Sequence, residues 1–222
     1  MVICVSTCDR YDHLLPGFAM QWNRYWGAPV SVLGFRQPPP LPENFSFISM
    51  APVEHMSWSA HLRDTIKDID DDEVVLLFDD YWLTAPVDLD KARQMLSLVE
   101  NGCVKGDLSR NTEHFNHINL GNGFVEATKD AQYRTSTQPA VWDCAFLLKL
   151  LGTGEYNPWQ FELQHRPEVA HGRIVGTREQ IVPFANIYYK GIPAQYMIDT
   201  IPSADLAELH AAGAMADIRP IP

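Results

Sequence analysis

Apolar positions follow two rhythms along this chain, and their alternation predicts most of the elements. Residues 2–6 form a short apolar, β-rich run that gives way to a polar cluster at 7–12, the pattern of a first strand and its loop. Residues 14–25 space their apolar side chains as a helix does, with Pro16 near the start and Gly27-Ala28-Pro29 closing it. A second β-type run, residues 30–35, completes a β-α-β unit. The prolines at 38, 39, 40 and 42 predict a stiff surface connection to a third strand over 45–50. Ser57-Trp58-Ser59 predicts a capped helix running to about Ile69, with Leu62 and Ile66 on one face and the aspartates at 70–72 ending it. Val74 to Phe78 is then five apolar residues in a row, as expected of a strand buried on both faces of a parallel sheet. It delivers Asp79 and Asp80 at its carboxyl end, where open α/β sheets bind ligands.

The second half is read with less regularity. A helix is expected over 89–99, followed by a loop-rich stretch through His114, His117, Gly121 and Gly123. Another helix is expected over 141–151, broken by Gly152-Thr153-Gly154 and followed by the aromatic segment 156–162. Residues 202–222 hold a short Ala-rich helix and a Pro-flanked tail. No internal repeat is visible. At 222 residues, 46% of them hydrophobic, the chain fits one α/β domain with a mixed, mostly parallel sheet flanked by helices.

Charge narrows the partners. The formal net charge of -11 argues against a surface that attracts nucleic acid or anionic membrane as a whole. A local basic groove stays open, because residues 165–190 hold Arg166, His171, Arg173 and Arg178 among fewer acids. The four cysteines, at 4, 8, 103 and 144, have neither disulfide-scaffold density nor CxxC spacing, which points to a reducing, cytoplasmic home. No signal peptide or membrane-spanning run is apparent, so no membrane insertion is expected.

Two adjacent carboxylates at a ligand-binding strand end repel each other and raise each other's pKa unless a cation neutralises them. Oxygen ligands of this kind suit Mg²⁺ or Mn²⁺, which complete their shell with substrate phosphates. Asp79 and Asp80 are therefore candidate metal ligands, the alternative being a solvated acidic turn.

The segment Val74-Val75-Leu76-Leu77-Phe78-Asp79-Asp80-Tyr81-Trp82-Leu83 resembles the DxD-type motif of GT-A glycosyltransferases, in the DDY or EDY variant. That variant includes bacterial capsule and lipopolysaccharide transferases and short bacteriophage-encoded proteins. Ser6 to Tyr11, Trp58-Ser59, and Gln138 to Trp142 leading to Asn157 to Glu162 share the resemblance in the same order, over residues 1 to about 190. It implies a Rossmann-like GT-A domain over 1–200, with a nucleotide-sugar half at about 1–100, an acceptor half at about 101–200 and a C-terminal helix and tail at 201–222. It implies that Thr7, Asp9, Arg10 and Tyr11 frame the base and ribose of a nucleotide sugar, UDP-sugar favoured, and that Trp58, Ser59, Arg63 and Asp79 approach the same ligand. Tyr81 stands at the third position of the usual Asp-x-Asp, so an ion would rest on Asp80 with Asp79 beside it or reached through water.

An inverting transferase needs a carboxylate to take the proton of the acceptor hydroxyl. Glu162 is the first candidate, with Trp159 and Phe161 as an acceptor platform, and Asp143 is the reserve. His171, Arg173 and Lys190 are weaker candidates for the diphosphate. The resemblance implies a hydroxyl acceptor, either a glycan or a hydroxymethylated base in phage DNA; oligomeric state is not legible.

Other activities find less support. Gly121-Asn122-Gly123 lacks the GxGxxG continuation, no phosphate loop or Gly-x-Ser-x-Gly occurs, and His114 and His117 lack the HExxH zinc pattern. A non-catalytic nucleotide- or sugar-binding module is the alternative reading, and a nuclease at Asp79 and Asp80 a more distant one.

Overall fold

The computed structural model describes residues 1–50, 57–114, 116–163, 169 and 171–220. Arg166 lies outside them. Thirteen strands are found among the described residues, and hydrogen bonds order nine of them as β3-β2-β1-β4-β9-β6-β10-β8-β7. The architecture is the expected mixed α/β sheet flanked by helices. Its contacts gather into two compact units, one of residues 1–4, 50–77 and 88–181, the other of 5–49, 78–87 and 182–220, so the units interleave along the chain.

The second of these units holds most of the N-terminal β-α-β. Strand β1 (Val2–Ser6) ends in it, a single 3-10 turn (Asp12–Leu14) leads into α1 (Leu15–Tyr25), and β2 (Val30–Gly34) pairs in parallel with β3 (Phe45–Ser49). Helix α1 stops because Gly27 takes φ 67° while its N–H bonds back to the Trp22 carbonyl, a left-handed turn that glycine adopts at no steric cost. Phe18 and Trp22 stack at 5.3 Å on the buried face, and the indole N–H of Trp22 reaches the Ala28 carbonyl at 2.8 Å. Gly17 is buried as well, and lies against the fully buried ring of Trp82 on β5 (Tyr81–Leu83).

In the other unit, β4 (Glu73–Phe78) runs antiparallel to β9 (Ala140–Asp143), and β9 antiparallel to β6 (Lys105–Asp107). Strand β10 (Ile174–Thr177) pairs in parallel with β6 and antiparallel with β8 (Phe124–Ala127). Helix α2 (Trp58–Ile66) starts where Ser57 caps it, accepting from the Ala60 N–H, and Leu62 and Ile66 are buried as expected. Helix α3 (Leu89–Glu100) lies against β6, β9 and β10, with Met95 filling the space that a side chain at Gly106 would need.

Two expectations change here. The apolar run at 141–151 is not one helix: residues 140–143 are strand β9, and α4 (Cys144–Leu151) begins only after Asp143. Apolar residues without a clear period suit either element, and a place between two strands decided the outcome. The stretch expected to be loop-rich through His114, His117, Gly121 and Gly123 contains a hairpin of β7 (His117–Gly121) and β8, turning on Gly121, Asn122 and Gly123 with φ of 86°, 52° and 83°. The Asn-Gly pair within it is a hairpin signal, since both positions tolerate positive φ.

Candidate functional site

Thr7, Asp79 and Asp80 meet because two strand ends are tied side by side. The Thr7 N–H bonds the Leu33 carbonyl at 2.8 Å, and the Asp79 N–H reaches the Ser6 carbonyl at 3.4 Å. The turn at Asp79-Asp80 is held from its other side too: the Trp82 indole donates to the Asp79 carbonyl at 3.2 Å, and the Ile187 N–H donates to the Asp80 carbonyl at 2.8 Å. With its backbone anchored at both residues, the carboxylate pair has little freedom to swing into solvent.

Asp79 is buried, and one of its oxygens, Oδ2, accepts a short hydrogen bond from the Thr7 hydroxyl. Burial pushes its carboxyl well above the ordinary range; the neighbouring Asp80 adds to the rise and the Thr7 bond opposes it. Burial also raises Asp80, to about 7. Its Oδ1 is enclosed and takes no hydrogen bond from any described residue. An enclosed, unpaired carboxylate oxygen beside a second carboxylate is a costly arrangement for the protein alone, and it fits a hard divalent cation with oxygen ligands such as Mg²⁺ or Mn²⁺. Among the described residues no group of three or more His, Cys, Asp and Glu gathers, so a cation at this turn would have at most two carboxylates from such a group.

Around this turn, Tyr11 is half-buried, and burial followed by Asp80 pushes its phenol up to about 12. Its ring meets the edge of Tyr188 at 5.4 Å, and the Tyr188 hydroxyl lies 3.3 Å from His13 Nε2 while donating to the Arg219 carbonyl at 2.9 Å. Asp9 is exposed and pairs with Arg36, at 2.9 Å, rather than with its neighbour Arg10, which is also exposed. Arg36 stands 3.9 Å from Asp12 as well. Neither Arg36 nor Tyr188 carries a local signal in the sequence; each is brought to the loop by strand pairing far along the chain.

The remaining candidates have these surroundings. Lys190 is exposed, with φ 52° and its ammonium 5.3 Å from the Tyr189 ring. The others belong to the unit of residues 1–4, 50–77 and 88–181. Ser59 is buried, accepting from the Tyr156 N–H at 2.8 Å and donating to the Gly154 carbonyl at 3.2 Å. Arg63 pairs with Asp64 at 2.9 Å, and Trp58 meets the edge of Phe161 at 5.6 Å. Arg173 is committed to Glu126 at 2.8 Å, and His171 is exposed.

Glu162 ends the short helix α5 (Pro158–Glu162), which Asn157 and Gln160 close with a reciprocal capping box. Its Oε1 accepts from both the N–H and the hydroxyl of Thr137, each at 2.7 Å. Thr137 carries no local signal in the sequence, and only the fold brings it there. Phe161 does not serve as an acceptor platform: it is fully buried, 6.2 Å from the Trp142 ring, because residue 161 faces inward on α5 while Trp159 is exposed. Asp143 caps α4 by accepting from the Phe146 N–H at 2.6 Å, which occupies one of its oxygens.

No known family description matches this sequence, and no curated protein matches it. Solved structures do resemble its fold. A nucleotidyl transferase from Methanothermobacter is similar at TM-score 0.51 and 12% identity, over 93% of this chain and 98% of the other. An apo UDP-glucose pyrophosphorylase is similar at TM-score 0.52 and 12% identity, over 96% and 100%. TarS of S. aureus is similar at TM-score 0.52 and 10% identity, over 82% of this chain; this chain spans 35% of TarS, and 52% of the bifunctional IspDF of Campylobacter jejuni at TM-score 0.45. At such low identity the likeness establishes the fold: this chain shares the α/β architecture of these nucleotidyl transferases and of a part of TarS.

Proposed function

We propose that this protein is a metal-dependent glycosyltransferase that moves a sugar from a nucleotide sugar, UDP-sugar favoured, to a hydroxyl acceptor. The observation that carries the reading is the Asp79-Asp80 turn: two raised carboxyls at a strand end, one tied to Thr7 and the other with an enclosed, unpaired oxygen. Such a pair would suit Mn²⁺ or Mg²⁺, which take few protein carboxylates and leave room for substrate phosphates. A structure similar to this chain, UDP-glucose pyrophosphorylase, was solved complexed with UDP-glucose, which supports a nucleotide sugar as ligand.

In this reading Thr7 keeps Asp79 oriented, Tyr11 offers a ring face or edge to the base, and Asp9 and Arg36 present a carboxylate and a guanidinium to ribose and phosphate. Trp58, Ser59 and Arg63 follow from the resemblance as further donor contacts, with His171, Arg173 and Lys190 as weaker diphosphate partners. Glu162 is the general base, oriented by the two Thr137 hydrogen bonds, with Asp143 in reserve. It takes the proton from the acceptor hydroxyl as that oxygen attacks the anomeric carbon, the bond to the nucleoside diphosphate breaks, and configuration inverts. A bound divalent ion would stabilise the charge on the departing diphosphate.

The test is thermal melting with Mn²⁺ and a panel of nucleoside diphosphates, comparing the parent with Asp80→Ala. At a hundred times its dissociation constant a ligand adds about 2.7 kcal/mol. Stabilisation by UDP that requires Mn²⁺ and vanishes in the variant is expected; no response to any nucleotide overturns the reading. A second reading, nucleotidyl transfer, is favoured by the near-complete coverage of the two similar structures of that class. The products separate them: UDP from a UDP-sugar, or pyrophosphate from a nucleoside triphosphate and a sugar phosphate. For the acceptor, binding that weakens steeply with salt marks DNA, because only DNA releases many counterions.

A further inference from the structure

The hydroxyl of Tyr188 is saturated by parts of the chain that the proposed reaction does not use. Three groups surround it: the Arg219 N–H at 3.1 Å, the Arg219 carbonyl at 2.9 Å and His13 Nε2 at 3.3 Å. A phenol has one proton to give and two lone pairs with which to accept. Its proton goes to the Arg219 carbonyl and the Arg219 N–H donates back, so the place left for His13 is that of a second donor, with the ring proton on Nε2. The whole capacity of the hydroxyl is then spent. Tyr188 is buried, and it directly follows Ile187, whose N–H holds the Asp80 carbonyl at 2.8 Å. All of these residues belong to the unit of 5–49, 78–87 and 182–220.

What this anchored ring holds is Tyr11. The two rings meet edge to face, with centroids 5.4 Å apart and planes at 80°. The Tyr11 backbone is already tied, its N–H to the Cys8 carbonyl and its carbonyl to the Leu14 N–H, each at 2.8 Å. Its side-chain torsions remain, and a half-buried ring changes rotamer unless a neighbour blocks it. Resting on the reading of Tyr11 as the contact for the base, we propose that Tyr188 is a positioning residue for nucleotide binding, holding the Tyr11 ring in place while His13 and the C-terminal tail at Arg219 lock Tyr188. Tyr188 is too enclosed to offer its own face to a ligand, so its effect passes through Tyr11. A ring already held in its bound orientation has less freedom to lose, which raises affinity without a new contact. The tail thereby becomes part of the donor site, although it supplies no group to the reaction.

The test is a double-mutant cycle on the full chain, with UDP titrated calorimetrically in the presence of Mn²⁺. Tyr11→Ala should weaken UDP binding about tenfold or more. Tyr188→Leu removes the ring edge and should weaken it about fivefold, and Tyr188→Phe, which keeps the edge and loses the lock, about threefold. Added to Tyr11→Ala, either change at Tyr188 should have no further effect, because its route runs through the ring already removed. The proposal is overturned if both Tyr188 variants bind UDP as the parent does. It is equally overturned if the loss from Tyr188→Leu is as large with Tyr11→Ala as without it, which is what a merely structural role gives. Should Tyr188→Leu fail to fold, the cycle with Tyr188→Phe is decided by the same two outcomes. A parent that binds no UDP overturns the reading of the donor site and this proposal with it, whereas a parent that binds UDP beside variants that match it overturns the proposal alone.

Discussion

Replacing Asp80 by Asn should stabilise the metal-free protein, although it removes a residue of the candidate site. Asn keeps the shape of the side chain and cannot ionise. With the carboxyl of Asp80 raised to about 7, the folded state holds its proton far more firmly than the unfolded chain, where an aspartate titrates near its ordinary value. The sign follows: the proton's contribution to stability is complete below the unfolded pKa and is lost as pH rises through the folded one. A shift of about three units corresponds to about 4 kcal/mol, all of it lost by pH 8. The Asn variant escapes that loss. In EDTA at pH 8 it should therefore be more stable by up to about 4 kcal/mol, and at pH 5 by only about 1 to 2 kcal/mol, since most of the loss occurs above that pH. Urea titrations at both values measure the gap; for a chain of this size about 1 kcal/mol moves the melting temperature by 2 to 4 °C, so a thermal scan suffices as a check. Saturating Mn²⁺ with UDP should close or reverse the gap, because only the parent gains from them. A variant less stable than the parent at pH 8 in EDTA, or a gap that does not narrow on acidification, refutes the argument from burial.

Glu162→Gln keeps the Thr137 contacts and removes the proton acceptor, so sugar transfer should fall about a hundredfold or more in kcat with UDP affinity and melting unchanged; a rate near the parent's dismisses Glu162 as base. Gly17→Ala sets a methyl group against the Trp82 ring, which is fully buried and has nowhere to move, and should cost about 1–3 kcal/mol in a urea titration. Asp107→Asn leaves the fully buried Lys105, now 2.6 Å from Asp107, without its countercharge, and should destabilise by about 3–5 kcal/mol; adding Lys105→Met should restore most of that, as read by the same titration.

Much of the first hundred residues was legible because its signals are local. An apolar run of fixed length, a serine before a helical period and a glycine-proline stop each act within a few residues, and β1, α1, β2, α2 and β4 appear where those signals stand. The placement of Asp79 and Asp80 at a strand end was legible for the same reason. Residues 140–143 were not: Ala-Val-Trp-Asp runs straight into an apolar helix, and only the strands on either side make it β9.

What the sequence by itself determined is the set of elements and the residue types at their ends, since these depend on propensity and on the period of apolar positions. Tertiary structure alone decided which polar groups meet. Arg36 rather than Arg10 takes Asp9, Thr137 holds Glu162, and Phe161 turns inward. Each of these pairings joins residues well apart in the sequence. Such contacts are set by strand register and helix packing, whose determinants are spread over the whole core and leave no mark at the residues that finally touch.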